Sequence, residues 1–193
     1  MTITILTSLD RYGLLLEKKF ESNPEIDVVF VTPPQATRVI KLICRKSISV
    51  RFLLKSAACR LGDLRIRPLR RKLNSLAALD TYLGETSPNT VVLFRVGLII
   101  PEKVLQSYTV INVHAARLPH YGGLGSLLSA LDSGDFAQCA SVHIAIRTID
   151  SGSVLFEVPY SLDPSLTYCA NERVAYMTGV AAVERLILEY GEI

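Results

Sequence analysis

The sequence predicts an α/β fold: a central, mostly parallel twisted sheet with helices on both faces, closed by a C-terminal β-hairpin and helix. Three observations carry that prediction. Short β-like runs alternate with longer amphipathic segments through the first half of the chain, the order expected of strand and helix layers in an open sheet. The 193 residues are 49% apolar, enough to bury a sizeable core without disulfides or metals, so a single domain over residues 1–193 is expected. The densest polar motif falls where a strand should end, and open α/β sheets bind ligands beyond the carboxyl ends of their strands.

Residues 2–7 alternate Thr with Ile or Leu and read as the first strand; they lack the basic flank of a secretory leader. A helix over 12–21 and a second strand over 27–32 follow, then a helix over 35–44 opened by Pro33 and Pro34. Residues 50–54 read as a third strand, and 75–85 as a helix ended near Gly84 and Pro88. Residues 90–94 form a buried strand, 101–106 a short helix opened by Pro101, and 109–113 another strand. A helix over 125–133 leads to a strand over 139–146, which pairs with 153–160 as a hairpin across Asp150, Ser151 and Gly152. Residues 166–190 are mostly helix, with Tyr176, Val180, Val183 and Ile187 at core-stripe spacing.

Composition excludes some functions and leaves others open. No apolar run approaches the roughly 18–20 residues that span a bilayer, so no membrane span is expected. Cys44, Cys59, Cys139 and Cys169 lie far apart without a CxxC pair. They suggest neither a zinc site nor a disulfide framework; each reads as a small buried hydrophobe suited to a reducing cytosol. The formal charge of +3 is unevenly spread. Residues 51–72 carry Arg51, Lys55, Arg60, Arg65, Arg67, Arg70, Arg71 and Lys72 against the single acid Asp63, leaving the rest net negative. That segment reads as a solvated face, as an attractor of an anionic substrate or cofactor, or as a nucleic-acid contact; its one aromatic residue, Phe52, is poor for stacking on bases.

Asn112 and His114 are separated by one residue at a strand end, so both side chains point to one side of the sheet. Downstream, Asp150 supplies the carboxylate that most often orients and supports an imidazole. Taken singly, Asn112 reads as a cap or turn residue and His114 as a satisfied interior histidine. Taken together, with the Leu118-Pro119 turn, they read as a catalytic unit in which Asp150 favours the imidazolium form of His114. His143 reads as a core residue or one that supports the unit from behind, and His120 as an exposed loop residue.

Asn112-x-His114-x-x-x-Leu118-Pro119-x-Tyr121-x-Gly123, followed by Asp150-x-Gly152, resembles the formyltransferase family that uses 10-formyltetrahydrofolate. The resemblance is detailed over residues 91–160, and residues 91–101 look like that family's folate loop. It implies a Rossmann-like formyltransferase fold and an N-formyltransferase activity, with Asn112, His114 and Asp150 catalytic. Gly97, Leu98, Ile99, Arg147, Thr148 and Ile149 are implied to flank the pterin. The implied donor is 10-formyltetrahydrofolate and the acceptor a small-molecule amine such as an amino sugar, an amino acid derivative or a biosynthetic intermediate. No metal, membrane or nucleic acid is expected, the location is expected to be cytoplasmic, and a homodimer is left open. Two alternatives of the same fold are hydrolysis of the donor and a non-catalytic folate- or nucleotide-binding module.

The family's purine enzyme holds a substrate phosphate through a glycine-rich first loop. Here that loop has one glycine, Gly13, and the acidic Asp10, a poor phosphate cradle. The resemblance to methionyl-tRNA enzymes lacks their basic insertion after the second strand and, within residues 1–193, their RNA-binding domain. A small, minimal catalytic domain is the expectation.

Overall fold

Strand alternation sorts the sheet residues between two helical layers in the computed structural model, which describes residues 2–31, 49–63 and 72–190. β1 (Ile3–Ser8), α1 (Arg11–Lys19) and β2 (Ile26–Val31) open the chain. Then come α2 (Val50–Arg60) with a 3-10 turn (Leu61–Asp63), β3 (Lys72–Leu73), α3 (Leu76–Thr86), β4 (Thr90–Phe94), α4 (Glu102–Ser107) and β5 (Thr109–His114). The remainder is α5 (Ser126–Asp132), β6 (Ala137–Ile144), β7 (Val154–Ser161) and α6 (Tyr168–Tyr190).

Seven strands lie in the order β3-β2-β1-β4-β5-β6-β7 among the described residues. The first five are mutually parallel, and β6 and β7 run antiparallel to their neighbours. The order reverses between β1 and β4, and open α/β sheets bind ligands at the carboxyl ends of the strands beside such a reversal. One face buries Ile5, Val28, Val92, Phe94, Ile111 and Val113 against Tyr12 and Leu16 of α1 and Val180, Val183 and Leu186 of α6. The other buries Leu6, Val29, Val91, Leu93 and Val110 against Leu79, Tyr82 and Leu83 of α3 and Val104 of α4. The chain is thus the α/β sheet with helices on both faces, closing hairpin and final helix that the sequence predicts.

Two expectations are corrected. Residues 50–54 are not a strand: Val50–Arg60 is helical, with Ser49 as N-cap accepting from the Phe52 N–H at 3.1 Å. A short apolar run has no period of its own to tell strand from helix, and the cap together with Ala57 and Ala58 favours helix. The cysteines are not all thiols, because Cys59 of α2 and Cys169 of α6 form a disulfide across a sequence separation of 110. Spacing alone cannot reveal such a pair. Cys139 is a buried free thiol, and Cys44 lies outside the described residues, as does the helix expected over 35–44.

Helix α2 leans on several elements through its charged side chains. Arg51 pairs with Asp132 at 2.9 Å, and the Lys55 ammonium lies 5.5 Å from the Tyr168 ring centre. Arg65, Arg67, Arg70 and Arg71 lie outside the described residues. Among the described residues, no helix is long and apolar enough to cross a membrane.

Candidate functional site

Because β5 alternates, Ile111 and Val113 enter the α1/α6 core while Asn112 and His114 turn to the opposite face. The antiparallel register sets Asn112 opposite His143 and His114 opposite Ser141, so His143 shares that face. A shift in the β6–β7 register falls between Val142 and His143, which pair with Phe156 and Val154 respectively. Beyond β6 the chain loops through residues 145–153 and returns Asp150 to the end of β5.

That return depends on Gly152. A Cβ there would stand 1.8 Å from the Ile144 carbonyl oxygen, so no larger residue fits without moving backbone. Asp150 itself adopts a left-handed φ of 51°, a conformation Asp tolerates better than most residues. The Leu118–Pro119 peptide is cis, within the turn that carries Tyr121 and Gly123 back toward the cluster.

The carboxylate is the hub. Asp150 Oδ2 accepts from the Gly123 N–H at 2.7 Å, and Oδ1 accepts from Asn112 Nδ2 at 3.1 Å. Asn112 Nδ2 also donates to His143 Nε2 at 3.0 Å, while His143 Nδ1 donates to the Ile144 carbonyl at 3.0 Å, which fixes the tautomer. The opposite orientation of the Asn112 amide would set its oxygen against the Asp150 carboxylate, so the direction is decided by charge. His114 Nε2 donates to the Tyr121 carbonyl at 2.6 Å, and its Nδ1 lies 3.5 Å from Asp150 Oδ2. Asp150, His114 and His143 side chains are 8%, 12% and 2% exposed. The cluster is therefore nearly dry.

Burial raises the Asp150 pKa, yet the neighbouring His143 and His114 rings, which act on it only when protonated, and the Gly123 N–H outweigh it and bring the carboxyl to about 2. Asp150 is ionised at neutral pH. For His114 the balance goes the other way: burial lowers its pKa from the ordinary 6.5 against the opposing pull of Asp150 and Tyr121. Asp150 does favour the imidazolium, as its charge leads one to expect, but desolvation exceeds that attraction, and the resting ring is neutral. A neutral ring with its proton on Nε2 has a basic Nδ1 edge facing Asp150.

The expected pterin-flanking residues occupy two loops that come together. Leu98, after β4, and Ala145, after β6, pack against the same hydrophobic cluster on the α3/α4 face. Arg147 lies 3.7 Å from Glu102 at the start of α4, tying one loop to the other. Gly97, Thr148, Ile99 and Ile149 are exposed, Ile99 and Ile149 by 56% and 60%, and Ile146 of the same loop by 46%. Large apolar side chains held outward beside backbone amides suit a flat heterocycle. Among the described residues, no group of three or more His, Cys, Asp or Glu is placed to hold a metal ion.

The first loop is closed on itself. Asp10 caps α1, accepting from the N–H groups of Tyr12 and Gly13 at 3.0 and 3.1 Å. Its other oxygen takes a hydrogen bond from Arg95 Nε at 2.8 Å, and the two side chains are 4% and 5% exposed. A Cβ at Gly13 would stand 2.3 Å from the Ser8 carbonyl oxygen, so α1 can approach β1 this closely only with glycine there. The N–H groups of this helix end are satisfied by the chain's own carboxylate.

Sequence reasoning gave His143 a supporting place behind the unit, and its bond to Asn112 is that contact; the signal is the strand register. It missed the Tyr121 carbonyl and the Gly123 N–H, which are backbone groups without a side-chain signature. It also missed Arg95, whose partner lies 85 residues away. His120 is exposed, as expected.

Comparison with known proteins gives a consistent picture. The formyl transferase family model matches residues 4–180. The methionyl-tRNA formyltransferase of Nitrosomonas eutropha is 30% identical over 113 residues, which is 57% of this chain and 36% of that protein. The chain thus matches little more than a third of the length of such curated relatives. Among solved structures, phosphoribosylglycinamide formyltransferase from Anaplasma phagocytophilum superposes with a TM-score of 0.67 at 16% identity, covering 95% of this chain and 83% of that one. A sugar N-formyltransferase from a Shewanella species gives 0.63 at 14%, covering 97% and 68%.

Proposed function

The chain belongs to the formyl transferase family, and we propose that it is an N-formyltransferase moving the formyl group of 10-formyltetrahydrofolate to the amine of a small-molecule acceptor. The observation that carries this reading is the buried cluster of Asn112, His114 and Asp150 at the carboxyl end of β5, with an ionised carboxylate beside a neutral imidazole. The donor supplies an activated formyl carbon attached to nitrogen.

In the transfer, a bond forms between the acceptor nitrogen and the formyl carbon, and the bond from that carbon to the folate nitrogen breaks. One proton leaves the amine and one reaches the departing nitrogen. His114 is built to hold that proton: Nε2 is committed to the Tyr121 carbonyl, and a proton arriving at Nδ1 lies between imidazole and carboxylate. Asp150 opposes the charge that then forms on the ring, at the moment it forms.

Asn112 serves the carbonyl oxygen, where negative charge gathers. Both of its amide hydrogens are engaged at rest, one with Asp150 and one with His143. It donates to that oxygen by exchanging one of these bonds. The loops carrying Gly97, Leu98, Ile99, Arg147, Thr148 and Ile149 receive the pterin. The closed α1 end supports an acceptor that is not gripped there through a phosphate, such as an amino sugar or amino acid derivative.

A panel of primary amines incubated with the protein and 10-formyltetrahydrofolate, read by mass spectrometry for formylated product, tests the proposal. Formylated amine appearing with folate release is the expected result. Folate release of equal rate with and without amine would replace transfer by hydrolysis, and donor binding without turnover would leave a binding module.

A further inference from the structure

Thr7, Phe94 and Val113 are register partners on β1, β4 and β5, so Ser8, Arg95 and His114 are the next residues on three neighbouring strands. Arg95 therefore stands at the switch point of the sheet, between the closed end of α1 and the catalytic histidine. It is also the residue at which β4 becomes the loop proposed to receive the donor.

Its backbone has a left-handed φ of 59°, unfavourable for a residue with a Cβ and maintained only where the surroundings impose it. The surroundings here are specific. Ser8 Oγ donates to the Arg95 carbonyl oxygen, Arg95 Nε donates to Asp10 Oδ2 at 2.8 Å, and the guanidinium lies 3.6 Å from the Tyr176 ring centre and 4.9 Å from that of Tyr12. The planar group is thus fixed by a charged hydrogen bond and by aromatic faces.

Beyond this corner the chain is lightly held. Gly97 and Ile99 are exposed, Val96 and Leu98 are half-buried against the cluster that also receives Ala145, and the next firm hold is Ile100, 8% exposed before α4. The direction in which residues 96–99 leave the sheet is therefore set at Arg95.

We propose that Arg95 is a positioning residue for donor binding: Asp10, Tyr12 and Tyr176 hold its side chain so that the left-handed corner directs residues 96–99 toward the loop carrying Arg147 and Asp150. The proposal rests on the donor reading above. Arg95 acts through the loop, and the closed α1 end thereby acquires a purpose: it anchors the donor loop from outside the pocket.

Arg95→Met, Arg95→Lys and Asp10→Asn, compared by amide hydrogen exchange and by steady-state transfer from 10-formyltetrahydrofolate, test it. In Arg95→Met, amides of residues 96–99 exchange about tenfold faster or more while those of β4 and β5 are unchanged. KM for the donor rises about tenfold or more, and kcat at saturating donor changes less than about threefold. Arg95→Lys and Asp10→Asn fall between wild type and Arg95→Met, because each retains part of the pairing. Unchanged exchange in 96–99, or a fall in kcat with unaltered KM, overturns the assignment. Loss of protection throughout β4 and β5 in every variant overturns it too, since Arg95 would then serve the whole fold. If the wild type transfers no formyl group, the donor reading falls, and the exchange arm alone decides: faster local exchange upholds the anchor and unchanged exchange refutes it.

Discussion

At the N-terminus of α1, Asp10 accepts from two backbone N–H groups and from Arg95, and the pair is shut away from solvent. At the end of β5, Asp150 is shared among Asn112, the Gly123 N–H and two histidine nitrogens, His114 Nδ1 and His143 Nε2, each 3.5 Å away. Both are buried carboxylates at the carboxyl edge of one sheet. In the first, the strongest neighbouring donor is a permanent cation at hydrogen-bonding distance, so the carboxylate's charge is already opposed at rest. In the second, the neighbouring His114 ring is neutral at rest and can become charged, so the carboxylate's full interaction is held back until a proton arrives. The closed pair is fixed in its charge, whereas the incomplete one can still take up a proton.

Removing the closed pair should have the larger effect on folding. Asp10→Ala leaves the Arg95 charge buried and two helix N–H groups uncapped, and should lower the unfolding free energy by about 3–5 kcal/mol in urea titration. Asp150 has no permanent cation to strand, so its region should yield more gently. Gly152→Ala forces a Cβ against the Ile144 carbonyl and should cost about 1–3 kcal/mol through backbone displacement; a variant of wild-type stability would mean that the loop moves freely.

The smallest expected effect separates the regions by pH. The His114 pKa lies below 6.5 because burial outweighs Asp150, so the basic form predominates at pH 7 and is lost as the pH falls through that lowered value. The acid limb of the pH–rate profile should accordingly lie below pH 6.5. Asp150→Asn removes the charge that favours the imidazolium and should move the limb further to acid. Asp10→Asn, touching a pair remote from the titrating ring, should leave the limb where it is.

Much of this molecule was legible in the sequence because it rests on local rules. The alternation in residues 2–7, the β-branched run at 90–94 and the helical stripe of residues 176–187 each announce an element, and the spacing of Asn112 and His114 announces a shared face. The failures share another origin. The helix at Val50–Arg60 was hidden because the four apolar residues among 50–54 fit a buried strand as well as a helix turn. The Cys59–Cys169 bond and the Arg95–Asp10 pair join residues 110 and 85 apart, and only the assembled fold brings such partners together. For a related reason the sequence displays the carboxylate that favours the His114 imidazolium but not the desolvation that outweighs it, which comes from the packing of the whole edge.

The most direct test of the central claim is single-turnover formyl transfer at saturating 10-formyltetrahydrofolate in wild type, His114→Ala and Asp150→Asn, with donor binding measured in parallel. The account predicts that both variants still bind the donor while transfer falls by roughly 10²–10³-fold. Transfer at the wild-type rate in either variant would contradict it and move the chemistry away from the end of β5.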